Sequence, residues 1–351
     1  MKSTIKGITT IVPKYKFSQE DIFNSLTKTF GENEKFKSIF LNSGISTRYS
    51  VLDSPANYFY KERRSTKDRN DIYFKEAYEL CSQAMNKCFE ENNISPQEID
   101  DLIIVSCTGV NIPGLDILLA KKFEMRADLQ RTSILFMGCY AAFPALRKAN
   151  EFTHFKPNSK SMIVCVELCT LHFQYNPSIE SVVSTSLFAD GCSVAIIESG
   201  DNKNNALSPS IIDTHVHTQY DTTEHMAFTL TDEGFEMNLS AYVPTILKTN
   251  SEKFVNELLS KNNLKKEDIK YWLIHPGGLK IINYLQKALD LDEEQVKYSK
   301  KVLNDYGNMS SATIMFVLNE LLKDNVATSG DKAVMMAFGP GLTMESALIG
   351  W

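Results

Sequence analysis

Glycine and proline are scarce in this chain, 16 and 11 of 351 residues, and neither charge dominates: 37 Lys and Arg against 43 Asp and Glu leave a net charge of −6. That scarcity excludes a collagen-like chain, and a content of 43% hydrophobic and 23% charged residues excludes a disordered one. Mild acidity argues against non-specific nucleic-acid binding, so an anionic ligand would need a local cluster of Lys and Arg. No apolar stretch follows Met1-Lys2-Ser3-Thr4, and no signal peptide is expected. The most apolar run, residues 333–351, is broken by Glu345 and by Gly339-Pro340-Gly341. It reads as two buried strands joined by a turn, with no membrane span. All seven cysteines precede residue 193, and no two form a Cys-x-x-Cys pair. The expectation is free thiols in a reducing, cytoplasmic setting, with no disulfide framework and no metal. Gly-x-Gly-x-x-Gly and P-loop motifs are missing too, which leaves dinucleotide and nucleotide-hydrolysing chemistry unsupported.

What the sequence does contain is a repeat of itself. Asn92-Asn93-Ile94 through Val105 aligns without gaps on Asn262-Asn263-Leu264 through His275, an offset of 170. Met162–Val166 aligns on Lys332–Met336 at the same offset, and Gly138-Cys139 on Gly307-Asn308 one residue short of it. Ser95-Pro96 with Glu98 is a capping box with proline at the first helical position. Short β-branched strands alternate with longer amphipathic helices, notably Asp71–Glu91 and Ser311–Lys323. The pattern predicts an α/β fold made of two copies of one unit, residues 1–200 and 201–351, with Gly200–Asn205 between them.

Three residues stand out for chemistry. Cys139 follows a strand pattern and Gly138, then opens a helix, where the dipole and free N–H groups favour thiolate. His275 ends a buried strand before Pro276-Gly277-Gly278, where the backbone can approach a ligand closely. Asn308 precedes a helix, and alone it reads as a turn or helix-start residue. The repeat places Cys139 and Asn308 at equivalent points, so pseudo-twofold packing would bring both to one cleft near His275. A thiol, an imidazole and an amide together suit acyl transfer from a thioester through an oxyanion or enolate. His215 and His217 alternate on a strand with no third metal ligand in sight; His154 and His225 have no evident partner.

The segments Met137-Gly138-Cys139, Leu187-Phe188-Ala189-Asp190-Gly191, His275-Pro276-Gly277-Gly278, Tyr306-Gly307-Asn308-Met309-Ser310-Ser311 and Phe338-Gly339-Pro340-Gly341-Leu342-Thr343 resemble, in order, those of the type III polyketide synthases. The resemblance covers essentially the whole chain. It implies a thiolase fold, two βαβ-rich halves in five αβαβα layers, acting as a homodimer. It also implies an acyltransferase that extends an acyl-CoA starter with malonyl-CoA, without cofactor or metal. Cys139 matches the acyl-accepting nucleophile, His275 and Asn308 the pair that drives decarboxylation, and Phe188 the gatekeeper between CoA tunnel and cavity. Cys107, Thr108, Ser310, Gly339 and Pro340 fall at substrate-binding positions.

Other positions depart from the plant chalcone synthase pattern: Cys169 and His172 replace two threonines, Met237 a phenylalanine and Phe228 a glycine. The stretch Cys169-Thr170-Leu171-His172-Phe173-Gln174 is similar to bacterial members that make alkylpyrones or alkylresorcinols from fatty acyl starters. An acyl tail gains about 0.8 kcal/mol per buried methylene, so an open channel would favour long starters. If His172 and Phe228 close the pocket instead, malonyl-CoA serves as its own starter for a small phenolic product. Toward CoA, Lys35 matches a basic position, whereas Ser38 and Asn42 replace two others; Lys37, Arg48 and Lys280 could compensate beside Gly277 and Gly278. Delivery of the starter by a carrier protein is the other route. The rivals are a single-condensation ketoacyl synthase, a cysteine hydrolase and an inactive acyl-binding subunit.

Overall fold

Apolar strands and self-capped helices alternate along the chain. The computed structural model describes residues 2–31, 33–54, 63–176, 178–200, 208–224, 226–239 and 243–351; the expected linker from Asp201 onward and His225 lie outside the described residues. The strands are β1 (Ser3–Ile11), β2 (Tyr15–Ser18), β3 (Thr47–Ser50), β4 (Asp101–Ser106), β5 (Gln130–Leu135), β6 (Lys160–Leu168) and β7 (Asp190–Ser199). They continue as β8 (Ser210–Thr218), β9 (Met226–Thr231), β10 (Gly234–Leu239), β11 (Tyr271–Ile274), β12 (Lys332–Gly339) and β13 (Thr343–Gly350). The helices are α1 (Gln19–Phe30), α2 (Glu34–Leu41), α3 (Thr66–Asn92), α4 (Leu115–Lys122) and α5 (Ala142–Phe155). After them come α6 (Ile179–Leu187), α7 (Val243–Lys261), α8 (Leu279–Ala288), α9 (Lys297–Tyr306) and α10 (Thr313–Asp324).

Nine strands connect in the order β11-β12-β13-β8-β1-β7-β6-β4-β5. Only two residue pairs, Ser3 with Ile211 and Thr4 with Ser210, join β1 to β8. The array therefore behaves as two sheets related by the repeat. In each, the strand of the first aligned segment runs parallel to that of the second: β4 beside β6, and β11 beside β12. The turns repeat as well. Asn93 and Asn263 both take left-handed φ values, 51° and 53°; a capping box follows the first, and after the second Asp268 accepts from Lys265 N–H in the same way that Glu98 accepts from Ser95 N–H. Gly138 and Gly307, at φ 80° and 73°, make the two sharp turns that precede Cys139 and Asn308.

Strand residues alternate between layers. Leu102 and Ile104 face an outer cluster under α3 and α4, while Ile103 and Val105 face a central one around α5 and α10. On β11, Trp272 and Ile274 face the outer cluster with α7 and α8, and Leu273 faces the centre. Helix, sheet, helices, sheet, helix is the five-layer order that the resemblance implies. Residues 332–350 form the antiparallel pair β12 and β13, as the apolar tail suggested. Among the described residues no helix is long and apolar enough to cross a membrane.

Candidate active site

The two sharp turns bring their residues to the middle of the molecule. Cys139 is buried on a turn closed by Ala141 N–H to the Gly138 carbonyl, and α5 begins only at Ala142. The expected helix-start thiolate is therefore corrected: the thiol precedes the helix, and burial pushes it up to about 11. The Ser310 and Asn308 side chains near the thiol pull the other way. On the opposite side, the β12 exit loop closes over the turn. A Cβ on Gly339 would lie 2.6 Å from the Tyr140 ring and 3.5 Å from Cys139 N, and one on Gly138 2.7 Å from Pro340. Gly339 and Pro340 thus abut the nucleophile's backbone and line no part of the cavity described below.

Asn308 is anchored through its backbone, its N–H donating to Leu187 O and its carbonyl accepting from Ala189 N, both at 2.9 Å. Its side-chain Oδ1 accepts from Ser310 N at 2.9 Å and from Thr313 Oγ1 at 3.4 Å. That fixes the amide with Nδ2 as the outward donor, and its one acceptor among the described residues, Gly277 O, is a distant 3.4 Å away. His275 ends β11 with its N–H on Met336 O, and Gly277 N–H turns back to its carbonyl. The imidazole is 2% exposed, and neither ring nitrogen has a hydrogen-bond partner among the described residues. Burial lowers it to about 3, so it is neutral at ordinary pH. Two buried ring nitrogens without partners mark a place where a ligand atom belongs.

One narrow cavity of about 40 Å³ brings together Phe188, Cys107, Thr108 and Ser310 with Cys169, His172, Phe228 and Met237. That is room for about three waters. Phe188 meets Phe228 edge-on at 6.4 Å. Phe228 and His172 both line this narrow cavity, the positions at which they would close the pocket. Phe235 lines the cavity as well and was not singled out by the sequence.

Glu167 was also missed. It is buried at the end of β6 and accepts from Cys107 N (3.0 Å), Thr108 Oγ1 (2.9 Å) and Ser311 Oγ (2.5 Å). Burial raises its carboxyl in spite of those bonds. A lone acid closing the apolar run Met162–Val166 was the available signal.

The residues expected at CoA divide. Lys35, Lys37 and Lys280 are exposed, and Leu279 packs at 3.0 Å from where a Gly44 Cβ would sit, which draws the loop after α2 against α8. Gly277 is half-buried and Gly278 buried. Arg48 is a correction: at 1% exposure its Nη1 donates to Thr185 O (2.5 Å) and Phe188 O (2.7 Å), out of reach of a phosphate at the surface. His215 pairs with Glu257 at 3.0 Å and stacks on Phe254, a packing role. Among the described residues no group of three His, Cys, Asp or Glu is placed to hold a metal.

The comparisons with known proteins agree with this geometry. Residues 1–201 match the N-terminal domain of chalcone and stilbene synthases, and residues 214–350 the C-terminal domain. A 3,5-dihydroxyphenylacetyl-CoA synthase of Amycolatopsis orientalis is 29% identical over 98% of this chain and 92% of its own length. The alpha-pyrone synthesis polyketide synthase-like Pks18 of Mycobacterium tuberculosis is 28% identical over 99% and 90%. The crystal structure of PKS-I from the brown alga Ectocarpus siliculosus superposes with a TM-score of 0.94 at 27% identity, covering 99% of this chain and 98% of that one. The fold is the thiolase fold, and the chain belongs to the chalcone and stilbene synthase family of type III polyketide synthases.

Proposed function

We propose that the protein loads a starter acyl group onto Cys139 and extends it with malonyl-CoA, with His275 and Asn308 stabilising the enolate. The observation that carries this reading is the buried His275 ring, unpartnered at both nitrogens, next to the turn that Asn308 Nδ2 reaches. The thiolate of Cys139 attacks the starter thioester; the carbonyl–sulfur bond to CoA breaks, and CoA leaves with the proton that Cys139 gave up. The malonyl thioester oxygen then accepts hydrogen bonds from a ring N–H of His275 and from Asn308 Nδ2. The bond to the carboxylate breaks, CO2 leaves, and its electron pair forms the enolate. That carbon attacks the Cys139 thioester, and the sulfur leaves as thiolate. Thioester activation and CO2 release supply the drive, so the sequence of steps uses CoA thioesters alone. Because burial holds His275 neutral, the donors act as dipoles aimed at developing charge.

The product class, a pyrone, a resorcinol or a small phenolic ring, is set by the cavity at Phe188, and its narrowness favours compact intermediates. Lys35, Lys37 and Lys280 are the cations suited to the CoA phosphates. The open edge of β5, with Ile112 at 91% and Phe136 at 53% exposure on the loops leaving β4 and β5, is suited to pairing with a second copy. The reading is tested by incubating the protein with carboxyl-labelled malonyl-CoA and acetyl- or hexanoyl-CoA. Labelled CO2 and a polyketide of matching mass are expected. A product without CO2 release would instead indicate a hydrolase.

A further inference from the structure

The cavity has a wall that the steps above do not use. The hairpin of β9 and β10 turns at Asp232–Gly234 and is tied to the body by Thr66 N–H on Asp232 O (2.8 Å) and Gly234 N–H on Thr66 Oγ1 (2.7 Å). Gly234, at φ 99°, lets the turn approach closely: a Cβ there would sit 2.9 Å from His172 Nδ1. The next residue, Phe235, lies flat on His172, ring centroids 4.4 Å apart and planes 19° from parallel. Its backbone N–H donates to His172 Nδ1 at 3.2 Å, while His172 Nε2 lies 2.7 Å from Thr108 O. These two contacts fix one tautomer, with the proton on Nε2. Gln174 Nε2 adds bonds to Phe235 O (3.3 Å) and His172 O (2.9 Å). Behind Phe235, edge-on at 6.0 Å, stands Phe136, 53% exposed in the single chain on the loop leaving β5.

Phe235 therefore stands between the cavity and Phe136, at the β5 edge suited to a second copy, and is held from both sides. We propose that the Phe235–His172 stack is a plug that limits the starter to short acyl groups, and that the space behind it toward Phe136 is where a longer chain would lie. Burial keeps the imidazole uncharged, pushed down to about 4, which preserves both its hydrogen bonds and the stack near neutral pH. On the other wall Phe228, 38% exposed, meets Phe188 only edge-on at 6.4 Å, whereas Phe235 lies flat on His172 and is held through its backbone N–H and carbonyl.

This inference rests on the loading of Cys139 proposed above, and its test separates the two. The full-length protein and the variants Phe235→Ala and Phe235→Leu are given malonyl-CoA with starters from acetyl- to palmitoyl-CoA. Intact mass reads acylation of Cys139, and chromatography reads product. Each methylene that gains a buried place contributes roughly fourfold. The ratio of kcat/KM for dodecanoyl-CoA over acetyl-CoA is therefore expected to rise about tenfold or more in Phe235→Ala, and less in Phe235→Leu. Palmitoyl-CoA turned over by the parent protein as fast as acetyl-CoA would overturn the plug. So would a ratio unmoved in whichever variant stays folded. If no starter loads the parent protein at all, the loading reading fails instead. Calorimetric binding of dodecanoyl-CoA to the parent protein and the variants then still tests the plug, and equal affinities would overturn it.

Discussion

The two halves repeat the same strands and turns but end differently at their edges. In the N-terminal half β4 is flanked by β5, none of whose residues 130–135 is fully buried. In the C-terminal half the residues 170 further on, 300–305, wind into α9, and the edge strand β11 is closed when Ile274 N–H donates to Ser299 Oγ. One edge is open and one is capped. The exits of β6 and β12 diverge in the same way: Glu167 is buried in hydrogen bonds from Cys107, Thr108 and Ser311 and Cys169 lines the cavity, whereas Ala337-Phe338-Gly339-Pro340 packs against the Cys139 turn. Duplication supplies a symmetric frame with a central cleft. Divergence at the strand ends places Cys139, the proposed nucleophile, in one half and His275 and Asn308, the proposed enolate donors, in the other.

That division of labour can be broken directly. Cys139→Ala should remove both product and covalent acylation; acylation persisting on another cysteine would reassign the nucleophile. On the C-terminal side, Asn308→Ala should still be acylated at Cys139 yet decarboxylate malonyl-CoA about a hundredfold more slowly or worse. The same loss is expected for His275→Ala. Decarboxylation at the parent rate in Asn308→Ala would dissolve the split between the halves.

A smaller effect concerns how the halves share the thiol. Burial pushes Cys139 up to about 11 and His275 down to about 3, which favours the neutral thiol and imidazole over a thiolate–imidazolium pair. Below pH 11 the thiolate fraction grows with pH, so alkylation of Cys139 by iodoacetamide should climb about tenfold per pH unit from 7 to 10. Peptide mapping follows that residue alone. A rate that is flat across neutral pH would show the two residues sharing a proton.

The frame was legible because it leaves marks at short range. Left-handed turns at Asn93 and Asn263, and sharp ones at Gly138 and Gly307, are local needs that the sequence must satisfy in both copies. With the repeat recognised, the equivalent placement of Cys139 and Asn308 behind matching glycine turns followed. The thiol's acidity was not legible, since burial outweighs a helix that starts three residues later. Phe235 carried no signal because its partner, His172, lies on another element and only the hairpin turn brings the rings together. Arg48 was misread for a similar reason. An arginine near the expected phosphate site suggests a surface cation, and only tertiary packing reveals that Gly307 makes room for its stem.

Arg48 also gives the comparison its finest test, because its buried guanidinium reaches from β3 to the point where the halves meet. Its Nη1 holds the carbonyls of Thr185 and Phe188, and the residues on either side of Phe188 hold the backbone of Asn308. Burial pushes it down to about 9 against the pull of Asp190, so it is still charged near neutral pH. Losing it leaves two buried carbonyls unpaired, at about 1–3 kcal/mol each, and frees the loop that aims the amide. Arg48→Met should therefore lower kcat for malonyl-CoA decarboxylation about tenfold through misplacement of Asn308. KM should hardly change, and Arg48→Lys should recover part of the loss. A phosphate-binding arginine would behave in the opposite way: KM for malonyl-CoA would rise, kcat would hold, and the defect would shrink as salt is added to both proteins.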